Sequence, residues 1–343
     1  MNRARPTWQQ AKMSLELMTR PCSIQWFRLP LGLLVACGLL LSMARCGPAS
    51  SADATPAPDP SIAASFHPAA YVAERIAAGL VPVRQITPPD ADAASWKPDA
   101  ATIEGLQRTK LTIVNGAGLE RWTKSASLPE FRTLVLSRSI RDRLLTTKEV
   151  AHSHGSGPAH VHRGIDPHTW MDPSLLAIQA KAVLEAMSRA WPEHEVAFAK
   201  AHDALAADLA ALDARLATLT PSLKGVVVMA SHPTYGYLAR RHGWTVIDID
   251  LPPDATPATE ALATIDEVLA RDAAGWLMLF ERPPTAPVLD ALRARPRLKA
   301  VVFSPCERKP PSEQGDFLAV MNANIDRLTE ALGATARQEP SKP

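Results

Sequence analysis

Short apolar runs alternate with longer amphipathic stretches in the first half of the chain from residue 61 onward. The apolar runs are of strand length, and the stretches between them carry a helical pattern. The predicted strands are residues 61–66, 81–86, 111–115 and 133–137, and the helical patterns are 69–78 and 102–108. Strands separated by helices in this way predict a parallel sheet covered by helices.

The same alternation returns in the last third of the chain. The predicted strands there are 225–230, 245–249, 275–280 and 300–303, and the helical patterns are 235–242, 260–271, 286–294 and 317–332. Each strand is a nearly continuous apolar run, which is typical of strands buried on both faces of a parallel sheet. The pattern therefore predicts a second sheet of the same kind.

Two Ala- and Leu-rich stretches, residues 174–190 and 193–219, separate the two halves and contain no glycine. Pro192 stands where a first-turn proline favours helix initiation. A helix over the second stretch would extend roughly 40 Å. We interpret the pair as a spine between two lobes; a surface helix of a single domain is the alternative. The predicted fold is α/β, with two lobes that are each a four-stranded, mainly parallel sheet covered by helices, joined by a long helical spine.

The N-terminus carries a targeting pattern. Basic residues precede an apolar run at 29–44, and Cys46 and a Pro/Ala/Ser-rich stretch follow it. This order resembles a bacterial lipoprotein signal with Cys46 as the lipidated residue; lipidation at Cys37 and an uncleaved membrane anchor are the alternatives. Each places the body of the protein outside the cytoplasmic membrane. The predicted division is 1–46 signal segment, 47–60 linker, 61–173 N-terminal lobe with a His-rich loop at 151–165, 174–220 spine, 221–335 C-terminal lobe and 336–343 tail.

Composition excludes several classes of function. Cys306 is the one cysteine in the predicted folded body, so no intrachain disulfide is expected there. The net charge of +2 gives no reason to expect nucleic acid as a partner. The sequence also lacks the His-Glu-x-x-His, Gly-x-Ser-x-Gly and phosphate-binding glycine patterns of common enzymes. We therefore expect a protein that is not an enzyme.

Five of the ten histidines fall between residues 152 and 168. They are His152, His154, His160, His162 and His168. Imidazole is the commonest protein ligand for zinc and related metals. Gly, Ser and Pro separate the first four, which predicts a flexible, exposed loop that captures metal weakly and quickly at several positions. The alternative is a polar loop that contains histidines by chance.

Four further segments carry a family resemblance. They are Asn-Gly-x-Gly at 115–118, Asp-Pro-His at 166–168, Ser-His-Pro at 231–233 and Gly-Asp-Phe at 315–317. In this order, over about residues 60–335, they resemble the substrate-binding lipoproteins of zinc- and manganese-type ABC importers. The resemblance implies a metal site between two lobes, with His168 as the ligand from the N-terminal side and His232 as the ligand from the C-terminal side.

Two ligand positions of that family are changed in this chain. Ala94 stands where the family has a histidine, and Ser304 stands where it has an aspartate. Replacement ligands are expected at the carboxyl ends of strands, where an open sheet exposes its crevice. The candidates are Glu281, His67, Cys306 and Asp92. Each also has an ordinary structural interpretation, such as an ion pair at the cleft rim for Glu281 and a turn residue for His67.

These observations predict an extracytoplasmic, monomeric metal-binding protein. We expect it to capture zinc and deliver it to an ABC permease in the cytoplasmic membrane, to which the N-terminal lipid or anchor would hold it. Histidine-dominated ligation favours Zn²⁺, whereas Mn²⁺ would favour carboxylates. The alternatives are a periplasmic metal chaperone or adhesin without a transporter and, less favoured, a zinc-dependent hydrolase.

Overall fold

The computed structural model of the chain describes residues 59–146, 150–152, 160–162 and 164–336. The predicted signal segment with Cys46, nearly all of the linker, His154 and the last seven residues lie outside these ranges. Within the described ranges, no helix combines the length and the apolar character that crossing a membrane requires.

The N-terminal lobe contains a sheet of four parallel strands in the spatial order β2-β1-β3-β4. Its elements are β1 (Asp59–Ala64), α1 (His67–Ala77), β2 (Val83–Gln85), α2 (Ala100–Arg108), β3 (Thr109–Val114) and β4 (Thr133–Val135). Helix α1 begins with a proline in its first turn, and the Asp99 side chain caps α2 by accepting from Thr102 N at 2.8 Å. The predicted strands and helices of this half are confirmed.

The flanks of the His-rich segment form a small antiparallel ribbon of two strands, β5 (Val150–His152) and β6 (His160–His162). In its register His152 pairs with His160, and Val150 pairs with His162. The prediction of a loop without strands is therefore wrong for these six residues. The backbone hydrogen bonds of a ribbon can form between any non-proline residues, so the polar composition did not prevent pairing.

Two long helices follow, α3 (Pro173–Ala190) and α4 (Glu195–Ala217), joined by a 3-10 turn at Pro192–His194. They pack against each other, and α4 also contacts helices of both lobes. Helix α4 has 23 residues, so it extends about 35 Å, slightly less than the predicted 40 Å. The helix starts two residues later than predicted, because Pro192–His194 forms the 3-10 turn, and it ends two residues earlier, at Ala217.

The C-terminal lobe contains the second sheet of four parallel strands, in the order β10-β9-β7-β8. The strands are β7 (Val226–Ala230), β8 (Val246–Asp248), β9 (Gly275–Phe280) and β10 (Leu298–Val302). The helices are α5 (Gly236–His242), α6 (Thr259–Leu269), α7 (Ala286–Arg293) and α8 (Phe317–Ala336). Strand β9 is buried along its whole length, as its continuous apolar run predicts.

The two lobes share their largest hydrophobic core. This core runs from Phe66 in the N-terminal lobe through Trp170 to Phe303 in the C-terminal lobe. The rings of Phe66 and Trp170 meet edge to face at 4.8 Å, and Trp170 Nε1 donates to the carbonyl of Pro305 at 2.8 Å. The carboxyl ends of both sheets therefore lie close to one junction.

Candidate metal centre

His168 and His232 meet at the junction of the lobes. His168 lies just ahead of α3, at the start of the 3-10 turn Thr169–Met171, and His232 follows β7 by two residues. Their ring centroids are 5.9 Å apart, and the ring planes are nearly perpendicular at 86°. The two side chains are buried, with 2% and 4% of each residue exposed. The structure thus brings together the two histidines that the resemblance assigns to opposite lobes.

Asp166 orients His168. Its Oδ1 accepts a hydrogen bond from His168 N at 2.9 Å and lies 2.8 Å from His168 Nδ1. A neutral imidazole that donates its Nδ1 proton to a carboxylate presents the lone pair of Nε2 to a metal. The short Asp-Pro-His spacing makes this contact possible, because residues i and i+2 can close a local turn.

A buried polar network holds this segment from the N-terminal lobe. Asn115 Nδ2 donates to the carbonyl of Pro167 at 2.9 Å. Asn115 itself is fixed by Glu120, whose carboxylate accepts from Asn115 N at 2.7 Å and Gly116 N at 3.0 Å. Burial raises the pKa of Glu120, and these donors oppose the effect. The Asn-Gly-x-Gly turn therefore supports the segment that carries His168.

Glycine is required at position 116 of this turn. Its φ is +74°, and a Cβ there would lie 2.4 Å from Ser137 Oγ and 2.5 Å from Val135 Cγ1. Both contacts are too close for a side chain, so only glycine permits the turn in this position.

The C-terminal lobe holds the same segment through Tyr237 of α5. The Tyr237 hydroxyl donates to the carbonyl of Asp166 at 2.8 Å and accepts from Leu145 N at 3.0 Å. Asp166 N in turn donates to the carbonyl of Leu145 at 2.8 Å. Burial raises the pKa of Tyr237 to about 12, so the hydroxyl keeps its proton at neutral pH. The sequence does not reveal the role of Tyr237, because nothing in its local pattern shows a contact about 70 residues away.

His67 is the first residue of α1 and is almost completely buried. Its Nε2 has no hydrogen-bond partner among the described residues. Burial lowers the pKa of His67 to about 4, with a further contribution from the positive charge of Lys309 and an opposing one from Asp316. The ring is therefore neutral at physiological pH. His67 N donates to the carbonyl of Glu307 at 3.3 Å, which ties the start of α1 to the C-terminal lobe.

The remaining candidate ligands surround a cavity of about 280 Å³. Its lining includes Asp92, Glu281, Ser304 and Cys306. Asp92 Oδ1 accepts from Ala94 N at 2.7 Å, so this carboxylate stabilises its own turn. Burial raises the pKa of the Cys306 thiol to about 12, which keeps the thiol protonated and disfavours metal binding.

The two changed family positions have structural roles in this chain. Ala94 is buried in the shared core. Ser304 is held by Asn324, which accepts from Ser304 N at 2.9 Å and donates to its carbonyl at 2.7 Å. The described residues contain no group of three or more His, Cys, Asp or Glu side chains placed to hold a metal ion. His67 and Glu281 thus do not form a ready-made ligand set with His168 and His232, and the full ligand set stays a prediction.

Solved structures share this fold. The metal-dependent lipoprotein YcdH from Bacillus subtilis matches with a TM-score of 0.67 and 22% identity, over 79% of this chain and 98% of that protein. The chain therefore has the two-lobe α/β fold of this class of proteins. The family model described as "Zinc-uptake complex component A periplasmic" (ZnuA) matches residues 62–331, and the chain belongs to this family. The family is one of uptake-complex components and not of enzymes, as the sequence predicted.

Two relatives with known names support this assignment. The zinc-binding protein TroA of Treponema pallidum is 26% identical over 295 residues, which cover 82% of this chain and 92% of the relative. The zinc-binding protein AdcA of Streptococcus pyogenes is 24% identical over 245 residues, which cover 70% of this chain. The match spans 44% of the length of AdcA.

Proposed function

We propose that this chain binds Zn²⁺ between its two lobes outside the cytoplasm and delivers the ion to an ABC permease. The observation that carries the proposal is the meeting of His168 and His232, one from each lobe, with ring centroids 5.9 Å apart. Two imidazole ligands suit zinc better than manganese. The family description and the names of the relatives, which are zinc-binding proteins, agree with this cargo.

The proposed site uses protein groups that are already oriented. Asp166 fixes the His168 ring, and Asn115 and Tyr237 hold the segment on either side. Partners that orient a metal-binding histidine typically change metal affinity by about 10–100-fold when they are removed. The ion is cargo, so a site shared by two lobes offers a simple means of release: separation of the lobes divides the ligands.

The proposal includes a cellular location. The chain would be lipidated at Cys46 and held at the outer face of the cytoplasmic membrane as a monomer, where a permease can receive the ion. His152, His154, His160 and His162 would collect ions and pass them to the cleft. The support for lipidation and for ion capture by these histidines is the sequence, since Cys46 and His154 lie outside the described residues.

The test is zinc competition titration of the full chain in which the four histidines of the His-rich segment are replaced by alanine. In this background His168→Ala and His232→Ala should each weaken binding at least tenfold. The double variant should be little worse than either single one, because the loss of one ligand already opens the site. His194→Ala, in the turn before α4, is the matched control and should bind as the background does. Unchanged binding of one equivalent by the double variant would overturn the proposal.

A further inference from the structure

Two histidines do not complete a zinc site, since zinc in proteins usually has four ligands. Ala94 carries no ligand atom, and Ser304 is a poor one. Asp166 already accepts from His168 N and faces its Nδ1. Another side chain near His168 is needed, and the structure contains a carboxylate in a suitable place.

That carboxylate belongs to Asp248, the last residue of β8. Asp248 pairs with Ala230, the last residue of β7, and Ile249 N donates to the Ala230 carbonyl at 2.7 Å. His232 comes two residues after Ala230. Because parallel strands end at the same edge of a sheet, Asp248 lies at the edge from which His232 emerges, two register positions before it.

The alternation of β8 sets the direction of the Asp248 side chain. Ile247 packs against the smaller hydrophobic core on one face of the sheet, whereas Val246 packs against the core that the two lobes share. Successive side chains of a strand point to opposite faces, so Asp248 lies on the same face as Val246. This is the face that packs on the core shared by the two lobes.

The electrostatics of Asp248 agree with this placement. Its pKa is raised to about 6, chiefly because the surrounding protein removes part of its hydration and also because the Asp166 carboxylate is near; His168 has the opposite effect. The residue still has an exposed surface, and no hydrogen bond or ion pair with another described residue engages its carboxylate. The Asp248 carboxylate is therefore free to rotate, and its charge is sensed by His168.

We propose that Asp248 is a ligand of the transported metal and binds Zn²⁺ together with His168 and His232. This inference rests on the proposed function. Rotation of the Asp248 side chain would bring a third protein ligand to the site, since the described residues contain no preassembled group of three ligands. The positive charge of the bound cation would also offset the repulsion between the carboxylates of Asp248 and Asp166.

Glu281 is the rival carboxylate. It follows β9, which pairs with β7 on the side opposite to β8. Burial raises the pKa of Tyr235, and the negative charge of Glu281 raises it further. Glu281 also lines the cavity beside Ser304 and Cys306. Glu281 and Asp248 thus lie at the ends of strands on opposite sides of β7, so the two carboxylates can be distinguished by mutation.

The experiment measures Zn²⁺ affinity by chelator competition in the full chain with the four histidines of the His-rich segment replaced by alanine. Asp248→Asn should weaken binding at least tenfold. Asp272→Asn is the matched control: Asp272 is exposed and precedes β9, at the opposite edge of the same sheet, and its variant should bind as the background does. An Asp248→Asn variant that binds as tightly as the background, or a loss confined to Glu281→Gln, would overturn the inference.

A spectroscopic variant separates direct ligation from a charge effect. Asp248→Cys loaded with Co²⁺ should gain a thiolate-to-cobalt charge-transfer band in the near ultraviolet, above the baseline of the background chain, and Asp272→Cys should not. Absence of the band shows that residue 248 does not touch the metal and overturns the inference. If His168→Ala and His232→Ala retain tight zinc binding, the proposed function itself fails. If they lose zinc binding while Asp248→Asn binds as the background does, only the Asp248 inference is refuted.

Discussion

The hydroxyl of Tyr237 donates a hydrogen bond to the carbonyl of Asp166 over 2.8 Å, so a helix of the C-terminal lobe holds the residue that orients His168. The same hydroxyl accepts from Leu145 N. Leu145 and Asp166 bracket the His-rich segment and are joined by a backbone hydrogen bond. The base of that segment, the proposed metal site and α5 therefore form one connected structure.

Removal of the Tyr237 hydroxyl should weaken this connection. We expect Tyr237→Phe to lower the free energy of unfolding by about 1 kcal/mol, since a partly buried donor and a buried acceptor lose their partner. Zinc affinity should fall as well, because Asp166 is held less firmly. Urea unfolding with and without zinc measures both effects.

Tyr71→Phe, which removes a hydroxyl bonded to Arg75 in α1, is the control and should leave zinc affinity unchanged. Equal zinc affinities of both variants and the wild type would contradict the role of Tyr237.

Replacement of Asp166 should affect metal binding more than folding. Asp166→Asn removes the charge that orients the His168 ring, so zinc affinity should fall by about 10–100-fold. Asp172→Asn is the matched control, because Asp172 caps α3 by accepting from Ser174 N at 2.8 Å, and asparagine caps a helix as well as aspartate does. Competition titration of the two variants checks the prediction, and equal affinities would show that Asp166 does not orient the ligand.

The sequence predicted the fold better than the site. Strands such as β9 are continuous apolar runs between turn residues, and this local signal suffices to place them. The pairing of His168 with His232 followed from a family resemblance. The local sequence pattern does not reveal Asp248 or Tyr237. The proposed role of Asp248 depends on the pairing of β8 with β7, and the role of Tyr237 depends on a contact between α5 and residue 166. Such long-range geometry leaves no periodic pattern in the chain.

Burial of His67 should make the protein sensitive to acid. The folded-state pKa of His67 is about 4, below the unfolded value of 6.5, so the unfolded chain binds the proton first. The contribution of His67 to the free energy of unfolding is therefore fully present above pH 6.5 and is lost as the pH drops toward 4. At 1.36 kcal/mol per pKa unit, the loss from this residue is roughly 3 kcal/mol.

The measurement for His67 is urea unfolding between pH 7 and pH 4 in the presence of a chelator. His67→Gln should flatten the pH dependence in this window, whereas His194→Gln, at a partly exposed position before α4, should leave it unchanged. The charges near His67, Lys309 and Asp316, are kept in both variants. A pH dependence that His67→Gln does not alter would show that the ring is not buried and neutral in solution.

Deletion of residues 152–162 should reduce metal capture without unfolding the protein. Within the described part of the chain, strands β5 and β6 pair only with each other, and Leu145 and Asp166 close the base of the ribbon independently of it. The sequence predicts an exposed loop here, which would contribute little to the core, so the midpoint of thermal unfolding should change by no more than a few degrees. The number of zinc ions bound, or the rate of capture, should fall, while the tight equivalent at His168 and His232 remains.

Replacement of the same residues by a Gly/Ser linker of equal length is the control and should behave like the deletion. Unfolding of both variants would show that the segment is structural, and undiminished zinc uptake would show that its histidines do not collect metal.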